Sequence, residues 1–206
     1  MPEKGRNFPQ NSTTAGRALR VLGIDPGMGA TGFGVVEVEP GGTIRFCGSG
    51  VIRPRSQQPF PQRLWKIFSD LRRQIEIYRP HLMGVERPFF GKNVQSAMML
   101  GQARGAAILA AAEAGLPVQE FSPLEVKQAV VGYGRASKEQ VQAMVQALLP
   151  LPARVAADAA DALAVAVCVG HSLCWQTRVA ASSATGTPGR RLREGRKAIL
   201  RGEVEE

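Results

Sequence analysis

Cysteine, histidine and aromatic residues are scarce in this chain of 206 residues, with 3 cysteines, 2 histidines and 6% aromatic side chains. Cys47, Cys168 and Cys174 form no CxxC pair and are odd in number. That excludes a disulfide framework, argues against a zinc site, and points to reduced thiols. His81 and His171 stand far apart in sequence and are expected to be structural. No unbroken apolar run reaches the ~18 residues of a membrane span. The longest candidate, residues 155–170, is interrupted by Asp158 and Asp161, so no membrane partner is expected. Residues 1–20 lack the apolar stretch of a secretory leader, and none is expected. The expected compartment is the cytoplasm. A GxxxxGK[ST] loop, a GxSxG elbow and an HExxH helix are also missing from the sequence.

What is present is an ordinary globular composition with an excess of base. Hydrophobic residues are 44% and charged residues 21%, enough apolar side chain for a sizeable core. Lys plus Arg is 26 against 17 for Asp plus Glu, a net +9 with a pI near 10.2. Such a surplus points to a polyanionic partner, most often nucleic acid. Residues 1–20 and 178–206 each carry a net +3, so both ends hold more than their share. Composition divides the chain into a disordered basic extension (1–18), one folded domain (19–177) and a disordered basic tail (178–206).

Within the domain the pattern is clear. Residues 20–25 form a short apolar strand ending at Pro26-Gly27. Residues 32–38 and 43–52 are two further strands joined through Gly41-Gly42, giving an antiparallel meander. Leu64, Ile67, Phe68, Leu71, Ile75 and Tyr78 follow helical spacing up to Pro80. Residues 81–86 form a fourth strand, 96–114 a helix closed by Gly115, and 117–121 a fifth strand. Ser122-Pro123-Leu124-Glu125 and Ser137-Lys138-Glu139-Gln140 are capping boxes that open two more helices. An Ala-rich helix follows Pro152 and runs to about Cys174. This order predicts an α/β fold: a mixed five-stranded sheet, three antiparallel strands then parallel ones, with helices on both faces.

Four carboxylates stand out. Asp25 and Glu86 each end an apolar strand, where open α/β sheets bind ligands. A carboxylate there is costly unless it is paired, hydrogen-bonded or bound to a cation. Asp158 and Asp161, three apart on a helix rich in Ala, Val and Leu, share a face and repel each other. Oxygen donors without His or Cys suit a hard ion, Mg²⁺ or Mn²⁺. Two such ions ~4 Å apart can activate a water and stabilise a leaving oxygen on a phosphate ester. Taken singly, each residue has a plainer use: Asp25 as a turn former before Pro-Gly, Glu86 as an exposed strand end, Asp158 as a helix cap.

The chain resembles the RuvC family of Holliday-junction resolvases over residues 20–171. The likeness rests on Leu22-Gly23-Ile24-Asp25-Pro26-Gly27 with Thr31-Gly32-Phe33-Gly34, on Val85-Glu86, and on Lys92-Asn93 with Ser96-Ala97. It continues through Leu100-Gly101-Gln102-Ala103-Arg104-Gly105, Val126-Lys127-Gln128-Ala129-Val130-Val131-Gly132 and Asp158-Ala159-Ala160-Asp161-Ala162-Leu163-Ala164. The resemblance implies an RNase H-like fold and a homodimer that resolves four-way DNA junctions in recombination and repair. It would do so by Mg²⁺-dependent nicks in two like-oriented strands, leaving 5′-phosphate and 3′-hydroxyl ends. It also implies the branch-migration complex RuvA–RuvB as partner. The family's catalytic and metal-binding acids map onto Asp25, Glu86, Asp158 and Asp161. On this reading Asp25 would bridge two ions, with Glu86 and Asp161 on either side and Asp158 near the attacking water.

The same resemblance marks Phe89, Lys127 and Lys138 as DNA-binding, and Lys92 is expected to contact the DNA backbone. Phe89, and less directly Phe90, would stack on unpaired bases. Lys138 also lies at a helix N-terminus, which favours phosphate. Arg87 and Arg104 are further backbone contacts to consider. The small-residue helix 96–114 fits either a dimer contact or internal packing. Three rival readings are less well supported: an ATPase of the actin and sugar-kinase type, whose first phosphate loop Asp25-Pro26-Gly27 with Gly29, Thr31 and Gly32 resembles; a non-catalytic junction-binding module, which loss of a carboxylate would favour; and an RNase H-like nuclease acting on RNA–DNA hybrids, against which the Phe89 loop and the lysine-bearing motifs argue. The ATPase fold needs two such domains, and this core is too short for both.

Overall fold

The computed structural model describes residues 17–87, 93–151 and 155–185. The expected extension and tail, the loop carrying Phe89, Phe90 and Lys92, and residues 152–154 fall outside them in whole or in large part. The chain divides into two compact units, Met1–Ser172 and Leu173–Glu206. Of the second, the described residues are the end of one helix.

Ten elements follow one another: β1 (Leu19–Asp25), β2 (Thr31–Val38), β3 (Ile44–Ile52), α1 (Phe60–Tyr78), β4 (Leu82–Glu86), α2 (Val94–Glu113), β5 (Val118–Phe121), α3 (Pro123–Val131), α4 (Lys138–Leu148) and α5 (Ala157–Thr185). The strands form one sheet in the order β3-β2-β1-β4-β5. β1 pairs antiparallel with β2 and β2 with β3, while β4 runs parallel to both β1 and β5. This is the mixed five-stranded sheet that the element order predicts, in the RNase H-like arrangement that the resemblance implies.

Alternation along the strands sorts the side chains. Leu22, Ile24, Phe33, Val35, Met83 and Val85 share one core with Ile67 and Leu71 of α1 and with Ala103, Ala107, Ala110 and Ala111 of α2. The opposite parity puts Gly23, Gly34 and Gly84 on the other face, in one row across the sheet. α5 lies on that row. A β-carbon on Gly34 would stand 2.7 Å from Leu163, and one on Gly23 would run into the backbone of Ala162 and Ala166. One on Gly84 would strike Val169. The glycines let the helix backbone approach the sheet, and Ala162, Leu163, Val165 and Ala166 are fully buried against it.

Ala157–Trp175 is long and apolar enough to cross a bilayer, but 67% of it is buried inside the fold. Its apolar surface is used in packing on the sheet. The helix also runs on to Thr185, past the expected end near Cys174. Ala, Ser and Thr continue it, and no Gly or Pro interrupts until Gly186. α1 and α2 begin slightly earlier than their apolar spacing indicates. Pro59 precedes α1, and the Asn93 side chain caps α2 by accepting from the Ser96 amide.

Candidate active site

The parity that sends Gly23 and Gly84 towards α5 sends Asp25 and Glu86 the same way. Ile24 pairs with Val85 across parallel β1 and β4, so one residue further on the two carboxylates leave neighbouring strand ends together. The turn after Asp25 is held from within. The fully buried Thr31 donates its Oγ1 hydrogen to the Gly27 carbonyl (2.8 Å) and accepts from the Gly27 amide (3.3 Å). Arg63 of α1 donates to the Met28 carbonyl at 2.9 Å. The Gly27 amide that a phosphate loop would offer to a nucleotide is thus already taken.

Asp25 and Glu86 line a cavity of about 270 Å³ together with Asp161, Lys127 and Lys138. Val126, Val141 and Ala164 give it apolar walls. Five elements therefore supply one cleft: β1, β4, α3, α4 and α5. α3 is placed by its capping box, in which Ser122 accepts from the Glu125 amide and Glu125 accepts from the Ser122 amide. Arg87, next to Glu86, donates to the same Glu125 carboxylate at 2.8 Å and ties the end of β4 to the start of α3. α4 is capped likewise by Ser137 and Gln140, which sets Lys138 in its first turn.

The electrostatics mark Asp25 as the centre. Its pKa is raised from 3.8 to about 7, first by burial and then by Asp161, Glu86 and Asp158, with Lys138 opposing. Glu86 is also raised, first by burial and then by Asp161, against Lys127 and Lys138. Crowded carboxylates in an apolar cleft disfavour their own charge.

Basic and amide groups occupy part of this acidity. Lys138 Nζ donates to Asp161 Oδ2 at 2.6 Å, and Gln142 Nε2 donates to Asp161 Oδ1 at 3.2 Å. Arg53, just beyond β3, donates to Asp158 Oδ2 at 3.3 Å. The spacing of Asp158 and Asp161 predicts one shared face, but their surroundings differ: Asp161 lines the cavity and Asp158 pairs with Arg53. Among the described residues no three acidic, His or Cys side chains stand arranged to hold an ion. The donor chemistry nonetheless fits a hard divalent cation: oxygen ligands alone, and a central carboxylate whose charge is disfavoured by its neighbours.

Arg53 and Gln142 were not singled out from sequence. Gln142 lies four residues after Lys138 on α4, a helical spacing that could have revealed it. Arg53 follows Ile52, whose partner Thr31 is six residues from Asp25, a relation visible only in the register. Arg104, considered as a backbone contact, pairs with Glu120 and is largely buried. His81 Nδ1 accepts from the Arg20 amide at 3.0 Å, and His171 Nδ1 bonds the Ala129 carbonyl at 2.9 Å, so both have structural partners.

An RNase H-like sheet with acids gathered at its strand ends and lysines beside them defines a nuclease of the phosphodiester-cleaving class. The family of crossover junction endodeoxyribonuclease RuvC matches residues 21–169, and the chain belongs to that family. It is 55% identical over 154 residues to the crossover junction endodeoxyribonuclease RuvC of Geobacter sulfurreducens, covering 75% of this chain and 93% of the relative. It is 53% identical over 152 residues to that of Shewanella amazonensis, covering 74% and 87%. Among solved structures it is similar to Thermus thermophilus RuvC in complex with a Holliday junction substrate, at 36% identity and a TM-score of 0.72, covering 77% of this chain and 97% of the other. The yeast mitochondrial Holliday junction resolvase Ydc2, at 14% identity and a TM-score of 0.54, shares the fold.

Proposed function

We propose that this protein resolves four-way DNA junctions by nicking two like-oriented strands, leaving 5′-phosphate and 3′-hydroxyl ends. Membership of the RuvC family and the likeness to a relative solved on a Holliday junction support that substrate. The observation that carries the chemistry is the convergence of Asp25, Glu86 and Asp161 on one cleft with Lys127 and Lys138. Asp25, Glu86, Asp158 and Asp161 are the proposed metal-binding and catalytic acids. Held there, two Mg²⁺ ions, or Mn²⁺, would supply an activated water and neutralise the leaving oxygen. Asp25, on whose charge all three other acids act, would be the central ligand of such a site. Lys138 and Lys127 hold the phosphate of the strand to be cut, and Lys138 is free to do so once Asp161 has another counter-ion. Phe89 stacks on a base and Lys92 contacts backbone, both within the segment that follows Glu86 in sequence.

The family resemblance implies a homodimer, in which each of the two strands would meet its own cleft. The branch-migration complex RuvA–RuvB is the proposed partner and the bacterial cytoplasm the proposed compartment. The test is nicking of a synthetic mobile four-way junction with Mg²⁺ or EDTA, beside linear duplex and an RNA–DNA hybrid. Symmetric Mg²⁺-dependent nicks on the junction are expected. Cutting of the hybrid instead would keep the site and overturn the substrate; tight binding without cutting would turn the protein into a binding module.

A further inference from the structure

The arginine that pairs with Asp158 lies outside the cavity lining and has no part in the fold's core. Arg53 directly follows β3 and its side chain is 60% exposed. Its guanidinium has five donors in a planar fork that matches a phosphate, yet among the described residues it makes one hydrogen bond, to Asp158. Arg20 differs, bonding both Glu37 and the Tyr78 carbonyl and so tying strands to a helix end. The Arg53–Asp158 contact, at 3.3 Å, is longer than the 2.7–2.9 Å or so of a strong charged hydrogen bond. Half-exposed and long, it is a weak pair that another cation can displace. Asp158 nevertheless acts on Asp25 through its charge, so this pair lies within the field of the cleft.

We propose that Arg53 is a substrate-positioning residue that exchanges partners. It is the counter-ion of Asp158 when no divalent cation is bound, and it passes to a backbone phosphate of the DNA when a cation takes its place on that carboxylate. The proposal rests on the reading of the cleft as a DNA-cutting site. It gives the carboxylate a neutralising partner in each state and gives DNA an additional cationic contact only when the site is loaded.

The exchange has opposite signs in two measurements, which a merely structural ion pair does not. Removing Arg53 removes a competitor, so the full-length R53Q protein without DNA should bind Mn²⁺ about two- to fivefold more tightly than wild type, read from free Mn²⁺ by electron paramagnetic resonance. The same variant should bind a synthetic four-way junction more weakly in Ca²⁺. Its log affinity should fall less steeply with log salt, by a slope of about 1. R53K keeps the charge and should return both readings towards wild type, which separates the effect from misfolding. Mn²⁺ affinity unchanged or weakened in R53Q, or an unchanged salt slope, overturns the proposal. Failure of wild type itself to bind or cut the junction would instead sink the proposed function, and with it the phosphate contact.

Discussion

A β-carbon placed on Gly32 would run into the backbone carbonyl oxygen of Asp158. Gly32 is the β2 residue paired with Asp25, so this contact brings the start of α5 over the end of β1. The distance between the acids of α5 and the acid of β1 is thus set by a missing side chain. Gly32→Ala should displace the first turn of α5, cost about 1–3 kcal/mol of stability and cut nicking sharply. Gly41, which has open space around it, serves as the control, and Gly41→Ala should leave both unchanged. Urea denaturation and junction nicking on the two variants check this.

Asp25 makes the metal-free protein sensitive to pH. Its carboxyl binds a proton more tightly in the folded state, about 7, than at its ordinary value of 3.8. The stability this contributes is fully present below 3.8 and is lost as pH rises through about 7. In EDTA, the difference in denaturation midpoint between wild type and Asp25→Asn should therefore shift in favour of the variant across that window. An Asn does not titrate, and it leaves the other acids of the cleft in place. A flat difference curve would show that Asp25 is not perturbed.

Loading the cleft should release protons. A cation needs the ionised form of Asp25, so Mg²⁺ binding below pH about 7 expels the proton that burial retains. Calorimetric titration of Mg²⁺ into the protein in two buffers of different ionisation enthalpy measures the number released. That number should fall towards zero as pH rises above about 7, and Asp25→Asn should reduce it at every lower pH.

Lys138 serves two acids at once. It bonds Asp161 and favours the charged form of Asp25. Lys138→Gln should reduce junction nicking about tenfold or more and move the acid limb of its pH profile upward, because Asp25 loses a compensating charge. Single-turnover nicking across pH reads both effects. A uniform loss with no movement of the limb would leave Lys138 with a phosphate contact alone.

Ser122 tests how the cleft wall is placed. Ser122→Ala removes the cap of the helix that carries Val126 and Lys127, and should cost about 1 kcal/mol by urea denaturation. Glu125 would keep its bond to Arg87, so the end of β4 should remain tied and nicking should fall less than stability does.

Much of this arrangement is legible in the linear chain. The five strands follow from period-two apolar runs and Gly-rich turns, and α3 and α4 from two capping boxes that both form as read. These are local signals, complete within a few residues. Asp25 and Glu86 could be singled out because a charged residue at the end of an apolar strand is rare without a partner. Asp158 and Asp161 could be paired by helical spacing, but the sequence could not say that Lys138 would hold one and Arg53 the other.

Tertiary structure alone decided the rest. The row Gly34, Gly23 and Gly84 looks like weak strand-forming sequence until the register aligns it into a seat for α5. By length and mean hydropathy alone α5 passes for a membrane span, against which Asp158 and Asp161 argue in the sequence, and its packing on that seat makes it a core helix. Element types and the identity of the acids are set by interactions among near neighbours in sequence. Which base neutralises which acid, and how closely five elements converge on one cleft, depend on contacts across the fold and on the depth to which a helix can settle on a sheet.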